Sequence, residues 1–157
     1  MSIDKNQFIE HLLEPVLKNA GLYSEAAVCL LLGTAAQESA FGTYIIQKPN
    51  GPALGLYQME PKTHHDIYDN YLKYNNSLKA RIFNICNFVV EPSKDELMYN
   101  LRYATLMCRL HYYRIPEKLP EPHNAENLAK YWKKYYNTEK GKGTIEEFIS
   151  NYRKYVL

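Results

Sequence analysis

Glu38 is the residue of this chain best placed to move a proton. It follows Ala26 to Gln37, a segment that is apolar nearly all round, and one turn later the helical pattern is broken by Gly42, Pro49, Gly51, Pro52 and Gly55. A carboxyl group drawn into such surroundings loses hydration, which disfavours its charged form. Its pKa then rises toward the range where it can donate a proton near neutral pH. Position alone also fits the ordinary reading, a solvated carboxylate at a helix end. The irregular stretch from Phe41 to Pro61 favours chemistry, because a long unstructured connection inside a compact domain is usually functional.

Other reactive side chains have simpler explanations. Glu60 and Asp66 are the carboxylates nearest to Glu38 in the following segment. Both sit at a predicted helix start, where the helix dipole favours negative charge in any case. The pair His64-His65 suggests a metal, but neighbours on a helix point about 100° apart and do not converge on one ion as i, i+4 histidines do. No metal and no cofactor are expected. Cys29, Cys86 and Cys108 lie in separate apolar stretches, match no zinc-ligand spacing and read as buried thiols. The lysines of Lys130-Lys133-Lys134 and Lys140-Lys142 read as a solvated face, with contact to an anionic polymer as the alternative.

The elements that must position these groups are predicted to be helices. Phe8, Leu12, Leu13, Val16 and Leu17 recur at helical spacing, and Gly21 marks a stop. Ser24 is a good cap for the helix that ends near Glu38. Pro61 suits a first helical position before Thr63 to Leu72. Ser77 opens a segment through Cys86, and Ser93-Lys94-Asp95-Glu96 reads as a capping box for one helix reaching Tyr112. Pro116, Pro120 and Pro122 stiffen a connector. Asn124 starts a helix through Tyr136, and Thr144 with Glu147 caps the last one. The fold class is mainly α, a single domain over 1–157, with a short loop or hairpin lobe after the helix that carries Glu38.

Composition narrows the classes further. The chain has 157 residues, 46% hydrophobic and 23% charged, which supports a packed core and excludes disorder as its main state. Fifteen residues are Tyr, whose apolar ring and polar tip suit interfaces and grooves as well as cores. A net charge of +2 argues against a nucleic-acid binder. The longest apolar run, Ala26 to Leu32, is far short of the ~20 residues that span a bilayer, and no signal-peptide core follows Met1. The expectation is synthesis in a cytoplasm without a signal peptide and no membrane span.

A resemblance adds what composition cannot. Gln37-Glu38-Ser39-Ala40-Phe41-Gly42, then Ala53-Leu54-Gly55-Leu56-Tyr57-Gln58-Met59-Glu60-Pro61-Lys62-Thr63, then Lys134-Tyr135-Tyr136-Asn137-Thr138 stand in this order. This set resembles the soluble lytic transglycosylase pattern of the lysozyme superfamily, where a Glu-Ser pair ends a helix, a Gly-Leu-Met-Gln segment returns beneath it, and an Ala-Tyr-Asn-Ala-Gly segment comes late. A weaker fourth match is Asn100 to Ala104. The wording from Gly51 to Pro61 and the stretch Tyr131 to Phe148 look most like small phage-encoded members, including virion-associated ones. Tyr57 departs from the usual Met or Phe, and Thr138 replaces the small residue after Asn137 with no Gly directly following.

The resemblance implies a lysozyme-like fold and a peptidoglycan-cleaving enzyme acting on glycan strands, with Glu38 as the general acid and base. It makes Gln58 a groove wall for acetamido or hydroxyl groups, with a backbone-bonded amide as the alternative. Ser39 would bond the Glu38 carboxylate or the substrate, or only cap the helix. Tyr57 and Gly55 would line or support the groove, Tyr136 would hold Glu38 by a hydrogen bond, and Asn137 would support the loop. Phage virion or tail proteins are the implied partners, with delivery to the bacterial wall by a virion or a holin. A true muramidase and a virion structural protein with little activity remain as alternatives.

Overall fold

The computed structural model describes residues 3–157, and it is mainly helical, with no strands among the described residues. Helix α1 (Lys5–Phe8) continues through a π turn, Ile9–Leu13, into α2 (Glu14–Ala20). The widened turn has a local cause. Proline at position 15 has no N–H, and in an α-helix its ring would strike the carbonyl four residues earlier. Here the N–H of Glu14 reaches back to the carbonyl of Ile9 instead. Gly21 then ends α2 in the left-handed region, at φ 71°.

Helix α3 (Glu25–Ser39) is the axis of the molecule. The Ser24 hydroxyl caps it by accepting from the N–H of Ala27 at 3.1 Å, and every residue from Ala27 to Ala36 is buried. A fully buried Leu contributes ~2 kcal/mol, so Leu30, Leu31 and Leu32 alone anchor this helix firmly. Its one internal hydroxyl, on Thr34, is bonded both to the carbonyl of Leu30 and to the Tyr112 hydroxyl, each at 2.8 Å. Around α3 pack α7 (Leu101–Tyr113), α8 (Ala125–Trp132) and α9 (Ile145–Tyr155). Helix α9 packs tightly at Gly33, where a Cβ would fall 2.4 Å from Cζ of Phe148. Only glycine admits that contact.

After α3 the chain turns sharply, with Ala40 and Phe41 at φ 49° and 53°, and the Phe41 ring packs edge-on against Phe8 at 5.5 Å. The segment down to Glu60 holds two isolated antiparallel bridges, Ile46 with Leu54 and Leu54 with Met59, rather than a formed hairpin. Helix α4 (Pro61–Asn70) follows, with Pro61 in its first turn, then a 3-10 turn at Leu72–Tyr74 and α5 (Asn76–Cys86).

Two boundaries differ from expectation. The cap of α5 is Asn75, whose side chain accepts from the N–H of Leu78, rather than Ser77. The single helix expected from a Ser93 capping box to Tyr112 starts only at Glu96, with no capping box, since the Ser93 hydroxyl accepts from the nearer N–H of Asp95. It is broken at Asn100 into α6 (Glu96–Tyr99) and α7. Asn100 adopts an extended backbone and its side chain accepts from the N–H of Tyr103 at 3.2 Å, so it starts a new helix instead of continuing the old one. The remaining caps follow their local signals: Asn124 opens α8, and Thr144 with Glu147 forms a reciprocal capping box on α9. All three cysteines are free and buried.

Candidate functional site

The end of α3 carries Glu38 into a cleft of about 840 Å³. The walls of the cleft come from the irregular segment (Gln47 to Ala53), from Gln58 to Glu60 with the first turn of α4, and from Trp132 and the loop after it as far as Gly143. A smaller hollow of about 520 Å³ shares no residue with this cleft. Exposed His11, Arg81 and Arg102 line it, without any buried acid.

Glu38 is half-buried, open on its cleft side and otherwise enclosed by protein. The indole N–H of Trp132 donates to its Oε1 at 2.8 Å. Burial raises the carboxyl pKa from its ordinary 4.5 to about 7, while the indole bond, which favours the charged form, pulls the other way and loses. Near neutral pH both protonation states are therefore populated. Because the indole occupies Oε1, the other oxygen is left to carry the transferable proton. Trp132 is itself fully buried, its ring 5.2 Å from that of Phe148. Gly143 lies against it so closely that a Cβ would stand 2.7 Å from the ring edge. The groups nearest Glu38 on its inner side, Cys108, Tyr112 and Tyr136, are held uncharged, since burial pushes the thiol and both phenols well above their ordinary values.

The other residues named from the sequence fall into two groups. Lining the cleft with Glu38 are Gln58, Glu60, Tyr136 and Asn137. One amide N–H of Gln58 donates to the carbonyl of Gly55 at 2.8 Å, and the residue is held at φ 46°, so its amide oxygen and second N–H are left for the cleft. Glu60 pairs with Lys62 at 3.0 Å. Tyr136 does not bond Glu38. Its hydroxyl donates to the carbonyl of Tyr57 at 2.6 Å, and the bond to the acid comes instead from Trp132, one turn earlier. A second π turn, Lys133–Asn137, follows Trp132 directly and carries Tyr136; such turns are frequent at functional sites.

The second group lies beneath or away from the cleft. Ser39 is buried, donates to the carbonyl of Ala35 at 3.2 Å and accepts from the N–H of Gly42 at 2.9 Å, which ties off the helix end. Tyr57 is buried, with its hydroxyl 3.1 Å from that of Thr105. Gly55, at φ 75°, approaches Leu97 so closely that a Cβ would sit 1.9 Å from its carbonyl oxygen. Asp66 lies exposed on α4, ion-paired to Arg114 at 3.0 Å and held below the ordinary carboxylate range by bonds from Asn70 and Arg114. His64 is buried against the Tyr103 hydroxyl at 2.8 Å, whereas His65 is exposed.

Two cleft residues were not singled out from sequence, Trp132 and His111, and Lys133, read from sequence as part of a solvated face, is tied into the wall of the cleft from behind. Trp132 is the only Trp of the chain, one helical turn before Tyr136, and that rarity was the available signal. His111 donates from Nε2 to the carbonyl of Tyr135 at 2.8 Å, with its pKa lowered by burial, so it is a neutral wall at pH 7. Lys133 stands behind the loop, where its ammonium donates to Asn137 Oδ1 at 2.6 Å and to the carbonyls of Gly141 and Gly143 at 2.9 and 2.7 Å. All three of its protons are used in pinning that wall. Compared with known proteins, the chain matches no family model, no curated protein and no solved structure.

Proposed function

We propose that this cleft cuts the β-1,4 bond between N-acetylmuramic acid and N-acetylglucosamine in peptidoglycan, as a lytic transglycosylase with Glu38 as its single acid and base. The observation that carries this reading is the state of Glu38. It is a cleft-facing carboxyl, poised near pKa 7 by burial and oriented by the Trp132 indole. The ordered resemblance of residues 37–63 and 134–138 to the transglycosylase pattern supplies the substrate. The same resemblance supports a phage-borne enzyme with a lysozyme-like fold, delivered to the wall by a virion or through a holin-made pore.

Cleaving a glycosidic bond requires protonation of the leaving oxygen and stabilisation of an oxocarbenium-like transition state. Glu38 gives its proton to that oxygen as the C1–O bond breaks, while the substrate's own 2-acetamido group supports the positive charge at C1. The carboxylate so formed then takes the proton from the C6 hydroxyl, whose oxygen closes on C1. The product is a 1,6-anhydro sugar, Glu38 ends reprotonated, and no water is consumed. A group with both forms populated near neutrality suits this give-and-take. The amide oxygen of Gln58 and the wall made by Tyr136 would orient the incoming hydroxyl.

Glu60 favours a second reading. It lines the same cleft, and as a base it would direct water to C1 and make the enzyme a muramidase. Asp66, turned to Arg114 outside the cleft, has no part in that alternative. Mass spectrometry of digested sacculi separates the two, because an anhydro muropeptide is lighter by one water. Anhydro ends are expected, and Glu38→Gln should lower the rate by at least about 10²-fold. Reducing ends from the wild-type protein would replace the transglycosylase with the hydrolase. Intact sacculi would replace both with a structural role in the virion.

A further inference from the structure

The cleft has a charge pattern that cutting a neutral sugar backbone does not require. Four lysines line it: Lys48 from the irregular segment, Lys62 from the first turn of α4, and Lys140 and Lys142 from the loop after the π turn. Against them stand two carboxylates, Glu60 and Glu38. Glu60 is already paired with Lys62, and Glu38 is only partly ionised at neutral pH. Lys140 and Lys142 are exposed and have no carboxylate partner among the described residues. The whole chain carries only +2, so this cleft is more cationic than the molecule as a whole.

We propose that the Lys140 and Lys142 loop, with Lys48 as a third contact, selects glycan strands that still carry their acidic peptide side chains over strands stripped of them. This rests on the glycan-cleaving reading and goes beyond it by naming which form of the strand the cleft prefers. Carboxylates on those side chains project from the sugar backbone and would meet the lysines at the rim while the backbone lies along Glu38. Cations placed near the acid would lower its pKa and weaken it as a donor. Burial raises the pKa of Glu38 here, against the Trp132 bond. The loop that presents two of the lysines is also held in place, since Lys133 ties both Gly141 and Gly143 to the helix behind them.

The single Trp provides the test, because it touches Glu38 and lines the cleft. In the Glu38→Gln protein, which binds without turnover, Trp132 fluorescence is titrated with soluble glycan strands in two forms. One form keeps its peptides and the other is stripped by an amidase, and both are first freed of phosphate polymers. At low salt the peptide-bearing strands should bind about tenfold more tightly, and ~0.2 M salt should shrink that gap. Lys140→Gln with Lys142→Gln should remove the preference. Lys73→Gln with Lys118→Gln, the same loss of charge on exposed residues outside the cleft, should keep it. Equal affinity for the two strands at low salt, or a preference that survives loss of Lys140 and Lys142, would overturn the inference. Cleavage of sacculi by the wild-type protein is a separate readout, so failure of the enzyme reading and failure of strand selection are told apart.

Discussion

Replacing Glu38 by Gln should stabilise the protein at alkaline pH. Glu38 binds its proton more tightly in the folded chain, at about 7, than in the unfolded chain, at its ordinary 4.5. Between these values the native state holds more protons than the unfolded state, so stability falls as pH rises through the window. At 1.36 kcal/mol per pH unit the full penalty, reached above pH 7, is ~3 kcal/mol. Gln is isosteric, keeps an oxygen for the Trp132 indole and carries no charge to desolvate. Its NH2 group must itself be partly desolvated at the cleft wall, which offsets part of the gain. A gain of ~2 kcal/mol at pH 8.5 is therefore expected, equivalent to roughly 4–8 °C in Tm for a chain of this size. At pH 4 the two proteins should melt together. Thermal unfolding followed by circular dichroism across pH 4 to 9 measures the difference directly. Curves that run parallel at every pH, or a variant less stable at pH 8.5, would mean that the carboxyl is not held at a cost, and the argument for a poised acid would fail with it.

Other consequences can be checked one by one. Trp132→Phe removes the bond that favours the carboxylate, so the Glu38 pKa should rise and the alkaline limb of kcat/KM should move to higher pH; an unmoved limb would deny the indole its role. Gly143→Ala forces a methyl against the Trp132 ring and the Gln37 side chain, and should cost ~1–3 kcal/mol in chemical denaturation. Lys133→Met leaves two loop carbonyls without their donor, and trypsin should nick the chain after Lys140 or Lys142 several-fold faster than in the parent. Asn100→Ala removes the cap that starts α7 and should cost ~1 kcal/mol; no change would mean the break between α6 and α7 has another cause.

What could be read from the sequence was local. The caps at Ser24, Asn124 and Thr144 and the stop at Gly21 each depend on groups within a few residues, and the structure places each of them so. The position of Glu38 was legible for the same reason, since it needs only an apolar helix and the break that follows. The partners of the site were not. Trp132 reaches Glu38 across 94 positions, and no pattern near either residue encodes that meeting. Tyr57 and Gln58 are adjacent, yet one is buried under the cleft and the other lines it, because the tight turn around Gly55 sends neighbouring side chains to different sides. Helical periodicity says nothing about such a turn. Asn100 was missed because an Asn inside an otherwise continuous helical pattern is an ordinary residue until its backbone is seen to be extended.

The burial of Glu38 has a consequence in time. The groups that enclose and orient its carboxyl come from both ends of the described chain: α3 early, and Trp132, Phe148 and Gly143 more than ninety positions later. While a ribosome has made only the first half, Glu38 is an ordinary solvated carboxylate and no better a proton donor than any other. The acid comes into being when α8 and α9 dock, a late and long-range step in assembly. The raised pKa of Glu38 and complete folding are then a single event, and a partly made or partly unfolded chain has only an ordinary carboxylate at this position.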